Sequence, residues 1–188
     1  MDSLNERDWR RVTEAIGRGN CVLITGPDAE FLPGGPSETA LSSALARKLA
    51  AALPPDLPTV KEDLAPVAQL HYNIDGDRSD IEFEVEEFYR PFADQSLPVH
   101  RCLADLPFTL CLGATATDFM STAFRAAGKS PISDLYHFRK LRRAELAETD
   151  SQHPTVYNLF GSLIHATRNF ASFLARPTVQ QVGTGIAR

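Results

Sequence analysis

The amino-acid sequence predicts an α/β chain: a doubly wound, all-parallel sheet with helices on its faces. Three observations carry this expectation. Short β-branched apolar runs alternate with segments of helical periodicity along the chain. The first run, Cys21-Val22-Leu23-Ile24-Thr25, passes through Gly26 towards a helical pattern, which is how a Rossmann-like fold opens. The 188 residues, 43% of them hydrophobic, suit a single domain over 1–188 whose core buries roughly 70% of the unfolded chain's surface.

The elements follow in order. Ser3 and Glu6 form a capping box for a first helix whose apolar stripe is Leu4, Trp9, Val12 and Ile16. Gly17 and Gly19 end it. Residues 21–25 read as a fully buried strand. After Gly26-Pro27-Asp28-Ala29-Glu30 and the turn-rich Pro33-Gly34-Gly35-Pro36, a second helix spans about 37–53, with Leu41, Leu45, Leu49 and Leu53 in one row. Pro54, Pro55, Pro58 and Pro66 make 54–66 an irregular surface crossing. In 80–92, Ile81, Phe83 and Val85 alternate as in a strand, while Ile81, Val85, Phe88 and Phe92 fit a helix. Glu82, Glu84, Glu86 and Glu87 suit an exposed helix face and favour the second option. A short helix at 100–106, a buried strand at 108–112 and a helix at 119–127 closed by Gly128 come next. Strands at 135–138 and 155–159 and a helical piece at 170–174 complete the reading.

Composition excludes several classes. With 19 Lys+Arg against 24 Asp+Glu the formal charge is −5, which argues against bulk nucleic-acid affinity. No apolar run approaches the ~20 residues of a membrane span. The start Met1-Asp2-Ser3-Leu4-Asn5-Glu6 is too polar for a secretory leader. Cys21, Cys102 and Cys111 form no Cys-x-x-Cys pair and read as small buried hydrophobes in a reducing cytoplasm.

Few residues offer chemistry by spacing alone. His71, His100, His137, His153 and His165 are scattered without an i, i+4 pair, so no metal is expected. Asp75, Asp77, Ser79 and Glu86 match alternate positions of a calcium loop, but Asp80 stands where its sharp turn needs glycine; a solvated acidic loop is the plainer account. Arg139, Lys140, Arg142 and Arg143 form a basic cluster that either grips a phosphate or marks a solvent-facing strand exit. Gly26 sits where a phosphate-binding turn begins. Pro27, however, removes one N–H donor, and Asp28 puts a carboxylate near any phosphate, at about 1 kcal/mol in water for charges ~4 Å apart. A plain strand-to-helix turn therefore competes with a nucleotide cradle.

Three segments, in this order, resemble the sirtuin-like NAD-consuming domains of bacterial conflict and anti-phage proteins. Val22-Leu23-Ile24-Thr25-Gly26 with Pro33-Gly34-Gly35-Pro36-Ser37 is similar to the family's first strand and Gly-Ala-Gly-x-Ser loop. Leu106-Pro107-Phe108 through Gly128-Lys129 is similar to the segment with the Thr-Thr-Asn-Tyr-Asp motif. Thr155-Val156-Tyr157-Asn158-Leu159-Phe160-Gly161-Ser162-Leu163 resembles the Lys-Leu-His-Gly-Ser motif. The likeness covers about 12–174.

The resemblance implies a Rossmann-like fold and binding of NAD or a related nucleotide through Gly26, Pro27, Asp28, Gly35, Thr115, Gly161 and Ser162. It also implies degenerate catalysis. In the family an Asn orients the water or ribose at the scissile bond and a His is the general base. Thr115, or Ala116 after a shift of one, stands at the Asn position, and Phe160 at the His position. Phe160 accepts no proton, and loss of a general base costs 10²–10⁴-fold as an order of magnitude. Asp118 and His165 are weak substitutes, Asp118 reading equally as a helix N-cap; His153 precedes the last strand. The paired cysteines of the deacetylating members' zinc module are absent.

The implied function is a sirtuin-like pseudoenzyme in a defence-type system, acting as a scaffold, oligomerisation or nucleotide-sensing module. The alternative is an active NAD glycohydrolase with shifted catalytic residues. A protein partner or C-terminal effector module is expected, with a homo-oligomer as an option and neither membrane nor direct nucleic-acid binding. The family's later Gly-x-Ser-x-Asp-like signature has at most a trace in Val182-Gly183-Thr184-Gly185, so the chain is read as the front module of a longer protein.

Overall fold

Among the described residues, four short parallel strands form one sheet in the order β1-β2-β4-β3: β1 (Val22–Thr25), β2 (Leu110–Gly113), β3 (Ile132–Leu135) and β4 (Thr155–Asn158). The chain enters at the edge, moves inward to β2, skips to the far edge for β3 and returns to insert β4 between them. This computed structural model describes residues 5–32, 39–56, 62–75, 79–115, 117–135 and 149–159. Helices flank the sheet: α1 (Glu6–Gly17), α2 (Leu41–Ala51), α3 (Leu64–Asp75), α4 (Ser79–Tyr89), α5 (Pro98–Ala104) and α6 (Phe119–Ala126). The α/β, Rossmann-like fold class expected from the sequence is the one found.

Register explains the core. Leu23, Cys111, Val156 and Ser133 are lateral partners and so turn to one face. On that face Cys111 and Val156 are buried with Ala104 of α5 and with Met120, Ala123 and Phe124 of α6. Ser133 reaches Ser121 of α6, Oγ to Oγ 3.0 Å. A second cluster joins α2, α3 and α4, led by Leu41, Leu45, Leu49, Val67, Ile81 and Val85, and Phe119 closes it. Burying a Leu or Val side chain contributes about 1.5–3 kcal/mol, so the i+4 leucine row of α2 is what commits that helix to its place.

Several expectations are corrected. The cap of α1 is Asn5, whose side chain accepts from the Arg7 and Asp8 amides at 3.0 and 3.1 Å; Ser3 and Leu4 lie outside the described residues. The α1 stripe is not a core stripe, since Trp9 and Val12 are exposed and only Ile16 packs on the sheet cluster. Strand β1 is not fully buried: as an edge strand it leaves Val22 and Ile24 exposed at 52% and 68%. Helix α2 starts at Leu41 rather than near 37. The crossing read as irregular ends earlier than expected, because Pro66 lies in the first turn of α3, where its missing N–H has no partner to lose. Cys102 is exposed, unlike buried Cys111.

Residues 79–86 are helical in α4, so the acidic segment does not form a calcium-type loop. The strand expected at 135–138 begins earlier, at Ile132 of β3, which includes Leu135; residues 136–138 lie outside the described residues. The basic cluster at 139–143 and the helical piece at 170–174 lie outside the described residues. No helix among the described residues is long and apolar enough to cross a membrane.

Candidate functional site

In an all-parallel sheet the carboxyl ends of all strands open onto the same edge, which is where such folds place ligands. Here β1 ends at Thr25, β2 at Gly113 and β4 at Asn158. Neighbouring loops continue the ladder, Ala114 N donating to Thr25 O at 2.8 Å and Leu159 N to Gly113 O at 2.9 Å.

Gly26, Pro27 and Asp28 follow β1 as expected, but as a single 3-10 turn. The Ala29 amide donates to Gly26 O at 3.0 Å and the Glu30 amide to Pro27 O at 3.1 Å. Both donors are thus used inside the turn rather than aimed at a phosphate. The side chains of Pro27 and Asp28 are exposed. Gly26 has extended backbone, φ −124°, with nothing within 4 Å of a Cβ built on it, so no contact there requires glycine.

The turn delivers Glu30, a residue that spacing arguments passed over. Glu30 is 4% exposed, and its carbonyl accepts from Leu41 N at 2.8 Å, fixing the start of α2. Its carboxyl accepts a hydrogen bond from the Thr117 hydroxyl, and Thr115 Oγ1 lies 3.3 Å from Thr117 Oγ1. Desolvation by burial pushes the Glu30 carboxyl up to about 7, although the Thr117 and Thr115 hydroxyls favour the ionised form. Tyr89 of α4 is held well above the ordinary phenol value, by burial first and the Glu30 charge second.

Asp118 stands at the N-cap position of α6 but makes no side-chain cap. Its Oδ1 instead accepts from Asn158 Nδ2 at 3.2 Å, tying the end of β4 to the loop after β2. Asn158 is 1% exposed, and its Oδ1 lies 2.7 Å from where a Cβ on Gly113 would be. That glycine is required by the close approach.

Beside this cluster, a cavity of about 140 Å³ lies between the end of α4 and the loop into α6. Tyr89, Phe92 and Phe119 give it aromatic walls, Thr117 and Asp118 a polar floor, and Arg90 sits at its rim. Arg90 pairs with Glu87 and, at 4.0 Å, with Glu86.

The structure therefore brings Thr115 and Asp118 together with Glu30, Thr117 and Asn158, while Pro27 and Asp28 point to solvent. Gly35, Ala116, Phe160, Gly161, Ser162 and His165 lie outside the described residues. His153 is exposed, its Nδ1 3.1 Å from Asp150 Oδ1. Among the described residues no group of three or more His, Cys, Asp or Glu is arranged to hold a metal ion. Asn158 had a usable signal, because it ends a β-run on the edge that Gly26 shares; Glu30 had none beyond being an acid just past a strand. The chain matches no protein-family model and no curated protein.

Proposed function

We propose that this chain is a sirtuin-like module that does not hydrolyse NAD and serves as a scaffold or oligomerisation domain, or a nucleotide-sensing one, in a bacterial defence-type system. The observation that carries the reading is the Glu30–Thr117 hydrogen bond. It places a buried carboxyl where the resemblance puts the phosphate loop, and it uses a hydroxyl of the segment expected to orient the ribose. Once ionised, above about pH 7, that carboxylate repels a phosphate by about 1 kcal/mol in water and by several times that when partly buried. Thr115 offers a hydroxyl in place of a carboxamide, and that hydroxyl faces Thr117. Because these polar groups satisfy one another, the scaffold role ranks above nucleotide sensing.

A second reading, an active NAD glycohydrolase, is favoured by one observation: Asp118 lines the cavity and is oriented by the Asn158 amide, as a shifted general base requires. Release of nicotinamide from NAD, followed by chromatography, separates the two. No turnover is expected. Turnover that Asp118→Asn abolishes would establish the hydrolase instead. Thermal unfolding with millimolar NAD, ADP-ribose or ATP then divides the scaffold role from sensing. A ligand at 100 times its Kd adds ~2.7 kcal/mol and raises Tm by roughly 5–10 °C for a domain this size. A flat response leaves the scaffold.

A further inference from the structure

The cavity at the strand ends has walls that the fold holds in place. Tyr89, Asp118 and Phe119 line it and are all buried. The Tyr89 and Phe92 rings both pack on Phe88, at centroid distances of 5.1 and 6.1 Å, and Phe119 packs on His100 at 5.5 Å. Three aromatic walls are thus braced by rings that lie behind them. The floor is equally fixed, since Asn158 donates to Asp118 and the Thr117 hydroxyl donates to Glu30. The charged lining residues are Glu86, Arg90 and Asp118. The cation among them, Arg90, is exposed at the rim and already engaged by Glu86 and Glu87. Burial first and the Glu30 charge second hold the Tyr89 phenol above its ordinary value, so a further acid lies behind that wall. The space therefore combines aromatic surface with an excess of acidic groups.

We propose that this cavity binds a methylated ammonium group, of the kind that tetramethylammonium represents. Aromatic rings within about 6 Å of a cation attract it through their quadrupole, and quaternary ammonium ions are the guests that aromatic enclosures take. Size agrees: a cavity of roughly 150 Å³ holds one benzene-sized guest, and this one has about 140 Å³. Charge disfavours anions, because a carboxylate or phosphate would sit against Asp118 while Arg90 is engaged by two glutamates. Hydrogen bonding decides between cations. A guanidinium or primary ammonium brings several N–H donors into a space whose floor is Thr117 and Asp118, both already bonded. A fully methylated ammonium brings none, so no donor is left unpaired. The site requires neither NAD hydrolysis nor nucleotide binding, and it stands or falls apart from the function proposed above.

The test titrates tetramethylammonium chloride into the full chain and follows the backbone amide resonances of Thr117, Asp118 and Phe119. Sodium chloride at equal ionic strength is one control, and tert-butanol, a neutral molecule of similar size and shape, is the other. Saturable millimolar binding of the ammonium ion alone is expected, as suits so small a guest. Asp118→Asn keeps an acceptor for Asn158 and removes the charge, so it should weaken binding about tenfold. Phe92→Leu keeps an apolar wall without the ring and should weaken binding about threefold. Arg90→Gln, a change at an exposed position that leaves the fold intact, should tighten binding about twofold by releasing Glu86 and Glu87. It reads the sign of the charge preference without touching the floor. Shifts no different from those with sodium chloride overturn the proposal, as does tert-butanol binding as well as the ion. Affinity unmoved by Asp118→Asn, or lowered by Arg90→Gln, overturns it too, the last by showing that the rim arginine holds an anion.

Discussion

The Thr117 hydroxyl donates to the Glu30 carboxyl across 87 positions of sequence, joining the turn after β1 to the loop before α6. Through the Glu30 carbonyl the same residue holds the first amide of α2. One buried acid therefore links the first strand, the loop after the second and the helix that supplies the leucine row. A carboxyl that organises three elements is part of the framework at the strand ends, which is why the edge reads as structure before it reads as a ligand cradle.

Burial makes the stability contribution of Glu30 depend on pH. Its carboxyl titrates at about 7 in the folded chain against 4.5 for the ordinary group. Between those values the unfolded chain has lost the proton that the native state keeps, so stability falls as pH rises and is level above 7. His100 acts in the opposite sense. It is 1% exposed, its ring packs edge-on against Phe119 at 5.5 Å, and burial lowers it from 6.5 to about 4. Between 4 and 6.5 the unfolded chain binds a proton that the native state refuses, so stability rises with pH. Each effect integrates to about 3 kcal/mol, and they offset one another where the windows overlap. Glu30→Gln should leave a rising slope below 6.5, and His100→Leu a falling slope up to 7. Urea denaturation of both variants across this range checks it; parallel profiles would refute the opposition.

Thr117→Val removes the hydroxyl that favours the ionised form of Glu30 and leaves a buried acceptor short of a donor. The expected loss is about 1–3 kcal/mol. It should be larger above pH 7 than at pH 4.5, because the neutral carboxyl needs the donor less than the carboxylate does. Chemical denaturation at the two ends of the window reads this directly. A pH-independent loss would mean that the hydroxyl matters for packing and not for the charge.

Two glycines should respond oppositely to the same change. Gly128 closes α6 with φ +78°, and the amides of Gly128 and Lys129 return to Arg125 O and Phe124 O at 3.1 and 3.0 Å. Gly128→Ala is expected to cost about 1–2 kcal/mol although the space is open, since the strain is in the backbone. Gly26 is extended, so Gly26→Ala should leave stability unchanged or raise it by roughly 0.5 kcal/mol. Melting temperatures of the two variants decide it. A folded and stable Gly26→Ala chain is also the clean variant for the ligand titrations.

Local pattern made much of the fold legible. The β-branched runs located β1, β2 and β4, the leucine row located α2, and Gly128 located the end of α6. The errors came where a local rule met a positional exception. Pro66 was read as a breaker but occupies a first turn, and an apolar run at 21–25 was read as buried although its strand lies at a sheet edge. The site was less legible for a different reason. Glu30 and Asn158 owe their roles to partners 87 and 40 positions away, brought together by the parallel register, and neither partner is marked by a short motif.

Gly113 and Asn158 are lateral partners at the ends of β2 and β4, and their packing offers the sharpest coupling in the site. A Cβ on Gly113 would lie 2.7 Å from Asn158 Oδ1, closer than real contacts allow. Gly113→Ala must therefore displace the amide, and with it the hydrogen bond from Asn158 Nδ2 to Asp118, at a cost of about 1–3 kcal/mol. Asn158→Ala loses the same hydrogen bond and leaves a small void, again for about 1–3 kcal/mol. In the double variant the new methyl group has the vacated space, and the hydrogen bond is lost only once. The combined loss should then fall short of the sum of the singles by at least about 1 kcal/mol. Denaturation of the four chains in a double-mutant cycle measures that shortfall. Additive losses would show that the backbone, and not the Asn158 side chain, absorbs the added methyl.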